Sequence, residues 1–101
     1  MNNNDQTLKE YVDIAEAIEN IEWLKTFVKE FRHYRSKNKI HPGKKLSVAV
    51  LANNNLIVDK IKMFTREIRH MCKLSSIITV GFAPQEYETE IKILEFTVFI
   101  L

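Results

Sequence analysis

Between Leu8 and Tyr34 the apolar residues fall at three- and four-residue steps: Leu8, Tyr11, Val12, Ala15 and Ile18, then Ile21, Leu24, Phe27, Val28, Phe31 and Tyr34. At about 100° per residue, that spacing gathers them along one side of a helix. The run predicts a single long amphipathic helix from about Thr7 to Asn38, with Asn20 as a candidate break. His41–Pro42–Gly43 ends it, because proline disfavours helical geometry in the residue before it and glycine permits a turn. A chain committed to such a helix must supply a surface for its stripe to cover. At 101 residues it has material for one core rather than two.

The remaining chain supplies that surface as strands. Lys45–Leu51 alternates, with Leu46, Val48 and Val50 on one face. Ala52–Asn55 reads as a turn in which Asn54 or Asn55 caps the next helix. That helix is expected from about Leu56 to Lys73, striped by Ile57, Ile61, Phe64, Ile68 and Met71. Ser75–Phe82 reads as a second strand and Ala83–Glu90 as a loop. Ile91–Leu101 reads as a third strand with Leu94, Phe96, Val98 and Ile100 on one face. The order helix–strand–helix–strand–strand implies an α+β fold, a two-layer α/β sandwich. Its small three-stranded mixed sheet is covered by two helices. The strand–helix–strand unit implies a right-handed crossover between parallel strands, and the last strand is expected antiparallel to its predecessor. Residues 1–6 are expected to form a disordered tail and residues 7–101 a single domain.

The composition excludes several classes. Two glycines and two prolines, with 46% hydrophobic and 28% charged residues, describe an ordinary globular chain. One cysteine, Cys72, cannot form an internal disulfide, which fits a reducing compartment. The first ten residues lack the apolar core and basic start of a secretory signal, and no apolar run reaches the roughly 18 residues of a membrane span. A cytoplasmic protein with no membrane partner is the expectation.

Charge is segregated along the chain. Residues 1–24 carry Lys9 against Asp5, Glu10, Asp13, Glu16, Glu19 and Glu22; residues 25–45 carry eight bases against Glu30. Lys25, Lys29, Arg32 and Lys39 share a flank of the first helix. Lys62, Arg66, Arg69 and Lys73 line up on the second, and Lys37, Lys44 and Lys45 add charge at the turn. Two readings follow: ordinary solvated helix faces, or, with the helices side by side, one patch that tracks a phosphate backbone. Arg35 differs, because it lies inside the apolar stripe. It either caps carbonyls at its own helix end or presents a rigid fork to phosphate. Phe27, Phe31 and Tyr34 read as core by spacing.

No chemistry of another kind stands out. His33, His41, His70 and Cys72 have no recognised zinc spacing, so no metal site is assigned. With neither a glycine-rich phosphate loop nor a nucleophile elbow, no catalytic residue is assigned.

The segment Phe31–Leu51, FRHYRSKNKIHPGKKLSVAVL, resembles the region after the anticodon-binding helical bundle of valyl-tRNA synthetases. That family shows an I-R-x-I-R motif at a helix end, a short polar run, a proline, two lysines and an apolar strand. Phe31-Arg32-His33-Tyr34-Arg35 fits the motif with aromatics in place of aliphatics, and Asn38, Ile40, Pro42, Lys44, Lys45 and Leu46 continue it. Further on, TREIRHMCKLSSIITV resembles the family's helix leading into a strand. APQEY and EFTVFIL resemble its small-residue loop and closing strand. The resemblance spans about residues 20–101, and isoleucyl-tRNA synthetases have a related arrangement.

The resemblance implies a non-catalytic piece of a valine–tRNA ligase. The ATP-binding HIGH-like and KMSKS-like motifs do not occur in this sequence, so no cofactor is expected here; ATP would belong to the parent's catalytic domain. The implied partners are tRNA and the remaining domains of the synthetase. The implied tRNA contacts are Arg32, Arg35, Lys37, Lys39, Lys44 and Lys45, joined by Lys62, Arg66 and Arg69 if the helices lie together. The alternatives are a docking module with no direct RNA contact, for which the stripe Leu8–Ile18 would face a partner, and a small self-associating protein.

Overall fold

The computed structural model describes the backbone of residues 4–101 and side chains from Thr7 onward. Helix α1 spans Asn4–Lys37, 34 residues, so it is about 51 Å long at 1.5 Å per residue. It is unbroken at Asn20 and begins ahead of the expected Thr7; of the disordered tail expected over residues 1–6, residues 4–6 belong to α1 and residues 1–3 lie outside the described residues. Strand β1 (Leu46–Leu51) follows, then α2 (Asn55–Met63), α3 (Thr65–Cys72), β2 (Leu74–Val80), β3 (Thr89–Ile93) and β4 (Phe96–Ile100). The two-layer α+β architecture expected from the pattern is the one that forms, but its sheet has four strands, ordered β2-β1-β4-β3.

Two expectations are corrected. The helix expected over 56–73 is two helices. Their junction is Phe64, at φ −109° and ψ 16°, and the Thr65 hydroxyl donates to the Ile61 carbonyl at 2.6 Å, a back-bond that bends helices. The expected third strand is a hairpin. Its two-residue turn, Leu94–Glu95, shifts the inward positions from odd (Ile91, Ile93) to even (Phe96, Val98, Ile100), and the registers Ile91↔Val98 and Ile93↔Phe96 keep both arms on the helix-covered face. Leu94 therefore leaves that face and is exposed. Strand β4 runs antiparallel to β2, as expected, with β1 between them. It pairs antiparallel with β1, which pairs parallel with β2 as expected of the strand–helix–strand unit.

The core lies between the sheet and only the second half of α1. Phe27, Val28 and Phe31 meet Val48, Val50, Val98 and Ile100 from the sheet and Ile61, Ile68 and Cys72 from α2 and α3. Trp23 joins α1 to two neighbours, with ring centroids 6.0 Å from Phe96 and 6.5 Å from Phe64. The first half of the stripe does not pack on the domain: every residue from Thr7 to Glu19 is exposed, including Leu8, Tyr11, Val12, Ile14 and Ile18. Met71, expected in the second stripe, is exposed, and Cys72 takes the buried position. Among the described residues no helix is long and apolar enough to cross a membrane.

Three non-glycine residues, Lys39, Lys73 and Leu94, have φ between 52° and 56°, in the left-handed region that costs an L-residue about 1–2 kcal/mol. Lys39 ends α1: its N–H bonds the Ser36 carbonyl at 3.2 Å and the Ile40 N–H bonds the Arg35 carbonyl at 2.9 Å. Glycine normally occupies that position. Lys39→Gly and Leu94→Gly are each expected to raise stability, by about 0.5–1 kcal/mol after the greater chain entropy of glycine is subtracted. The change is read as an increased urea midpoint at unchanged slope; a lower midpoint in both variants would contradict the strain.

Candidate nucleic-acid interface

The chain between α1 and β1 is held by one buried guanidinium. Arg35 is 7% exposed, and its Nη2 donates to the His41 carbonyl at 2.9 Å and the Lys44 carbonyl at 2.6 Å. A charged donor on neutral acceptors is among the stronger hydrogen bonds a loop can have. The His41–Lys44 turn closes further through its own backbone, Lys44 N–H to the His41 carbonyl at 2.9 Å, and through the Gly43 N–H donating to His41 Nδ1 at 2.9 Å. A Cβ at Gly43 would lie 3.1 Å from that nitrogen and 3.2 Å from Cε1. Close approach to the His41 ring, rather than an unusual φ, is therefore what favours glycine here. Of the two roles the sequence leaves open for Arg35, the carbonyl contacts are present: it anchors the loop.

Beside this loop lies an open groove of about 840 Å³, between the loop, the end of α1 and the α2–α3 pair. Arg32, Lys45, Lys62, Arg66, Arg69 and Lys73 line it, with His70; Glu67 is the one carboxylate among the lining residues. The kink at Phe64 sets the axis of α3, and two further contacts orient arginines. Arg32 Nε donates to the Met71 carbonyl at 3.3 Å, bridging α1 to α3. Arg69 Nη2 donates to the Ser75 carbonyl at 3.1 Å. That carbonyl is offered by an irregularity: Leu46 pairs with Leu74 but Ser47 with Ser76, leaving Ser75 as an extra residue in β2. Ser47 Oγ lies 2.8 Å from Ser75 Oγ and accepts from Ser76 Oγ at 3.0 Å, pinning the bulge.

None of the six groove cations has a carboxylate within ion-pair distance among the described residues; the Lys25–Glu22 pair, at 3.8 Å, is elsewhere on the exposed face of α1. Like charges left uncompensated raise the local potential and attract anions. Of the residues expected to meet RNA, the fold brings five to this groove: Arg32, Lys45, Lys62, Arg66 and Arg69. Arg35 is buried behind it. Lys37, Lys39 and Lys44 are exposed and do not line it. His70, in sequence only a candidate metal ligand, also lines the groove; its place four residues after Arg66, one helical turn on, is the signal for that.

Cys72 is fully buried. Burial pushes its thiol up to about 12, against smaller opposing influences from Arg32 and Arg35, so it is neutral at ordinary pH and unsuited to nucleophilic chemistry. Among the described residues no three His, Cys, Asp or Glu side chains converge to hold a metal ion. No known protein-family model matches the chain.

Because Arg35 carries two loop bonds, Arg35→Ala is expected to lower stability by about 2–3 kcal/mol. Cleavage by trypsin after Lys44 and Lys45 should accelerate before the rest of the chain is attacked. Unchanged stability and unchanged cleavage would show that the loop holds itself.

Proposed function

We propose that this domain binds the phosphate backbone of tRNA, as the non-catalytic C-terminal part of an enzyme similar to valyl-tRNA synthetase. One observation carries the reading: a groove with six cations, one carboxylate and no ion pair among the described residues. Solvated helix faces ordinarily mix both signs of charge. Here the predominantly positive charge is held in place by Arg32 and Arg69, each bonded to a backbone carbonyl. Contacts of this kind fix register and orientation on a nucleic acid rather than read its bases. The resemblance of Phe31–Leu51 to the synthetase segment supplies the identity of the nucleic acid and of the parent enzyme.

Titration of the chain with tRNA at several salt concentrations tests the reading. Binding should weaken steeply with salt, with a logarithmic slope of about 0.7–0.9 per phosphate contacted. Replacing Arg32, Lys62 and Arg66 by Gln should reduce both affinity and slope, by about two to three contacts' worth. Replacing Lys37, Lys39 and Lys44, which lie outside the groove, should do less. Equal affinity of the wild type and the groove variant overturns the proposal.

The N-terminal half of α1 favours a second, compatible reading as a docking element within a larger enzyme. Leu8, Tyr11, Val12, Ile14, Ile18 and Ile21 are exposed along it. A helix stretch of this length without tertiary support is marginal in water. In the 101-residue chain alone, amides of residues 8–18 should exchange rapidly while those of residues 25–35 stay protected. Equal protection of both halves in a monomer would remove the case for a missing partner.

A further inference from the structure

Next to the groove is a second cavity of about 310 Å³, lined by Arg32, Arg35, Ser36, Ile40, Pro42, Met71 and Lys73. Arg32, Pro42, Met71 and Lys73 line both, so the two spaces adjoin. Three of the seven lining residues are cations and none is an acid. Arg35 Nη2 is engaged by the two loop carbonyls, but Arg35 Nη1 is buried with no hydrogen-bond partner among the described residues. Buried donors of native proteins are nearly always satisfied, and an exception calls for a specific explanation. A charged donor is the costliest to leave unmet. Arg32 uses Nε on the Met71 carbonyl, and neither its two terminal amines nor Lys73 Nζ has a hydrogen-bond or ion-pair partner among the described residues. Lys73 is brought to the rim by its left-handed backbone at the end of α3.

We infer that this cavity is a phosphate subsite, in which Arg35 Nη1, Arg32 and Lys73 receive the oxygens of a single phosphodiester of the RNA backbone lying in the groove. The inference rests on the backbone-binding reading of that groove and adds a fixed anchor to it. A guanidinium immobilised by two carbonyl bonds loses little freedom when it binds an anion, whereas the exposed lysines around it must be ordered at each contact. Arg35 thus has two jobs on one planar group: Nη2 holds the loop and Nη1 meets the ligand. The lining of three cations and no acid suits the charged oxygens of a tetrahedral phosphate rather than the uncharged face of a base.

The test follows the arginine side-chain nitrogen signals of the full chain by NMR with two probes: inorganic phosphate, balanced against chloride at constant ionic strength, and tRNA. The expected result is a saturable shift of the Arg35 signals with phosphate and the same direction of shift with tRNA. Lys73→Asn, which suits the left-handed backbone, should weaken phosphate binding by roughly threefold or more. Lys92→Gln, on β3, should leave it unchanged. Arg35 signals that stay still, or that follow chloride equally, overturn the subsite; if tRNA still binds in that case, the groove reading survives alone. A phosphate-induced shift without any tRNA binding overturns both the groove reading and RNA as the source of the phosphate, and makes the cavity a free-phosphate site.

Discussion

The geometry of the basic face depends on a positive charge held where charge is normally excluded. Burying a guanidinium is unfavourable unless its donors are met, and Arg35 meets that requirement at Nη2 alone, with the carbonyls of His41 and Lys44, while Nη1 has no partner among the described residues. The consequence is long-range in sequence terms but short in space. The chain leaving α1 is drawn back against the helix end, the His41–Lys44 turn closes, and β1 starts at Leu46 in register with Leu74. Pro42, Gly43 and Lys45, which form one side of the groove, are placed by that same anchor. A lysine ammonium carries enough donors for two carbonyls but lacks the second amine that the guanidinium keeps beside them.

The other side of the groove depends on two departures from regularity. A continuous helix over residues 55–72 would keep one axis; the junction at Phe64 redirects α3. A regular β1–β2 ladder would pair Ser75; the bulge frees its carbonyl for Arg69. Each irregularity costs some local stability and each orients a charged side chain. Uncompensated cations that merely repelled one another would disperse if their side chains were free, and here two of them are fixed.

Helix α1 serves two purposes in succession. Its C-terminal half carries Phe27, Val28 and Phe31 into the core and Arg32 and Arg35 to the anion-attracting side. Its N-terminal half is acidic and apolar and covers nothing in this domain. The helix thus runs about 51 Å from its exposed first half to the basic end.

Much of this was legible in the residues. Three-four spacing located both helical regions and the strand alternation located the sheet, because those periods reflect which side is buried. A capping asparagine, Asn54 or Asn55, followed from the chemistry of the side chain, and it is Asn54 that accepts from the Leu56 N–H at 2.7 Å. The hairpin at Leu94–Glu95 was hidden because a leucine, not glycine or asparagine, occupies the positive-φ turn position; the odd-to-even change in the apolar pattern was its trace. The exposed half of α1 was hidden for a different reason: an apolar stripe states that something should cover it, not whether this chain does. Local spacing was thus enough for the helical and extended regions, the segregation of charge and the arginine within an apolar stripe. Only the tertiary structure decided which bases gather, which carbonyls Arg35 holds and which half of the long helix is buried. Those outcomes depend on the kink, the bulge and the strand order, which arise from contacts between residues far apart in the chain.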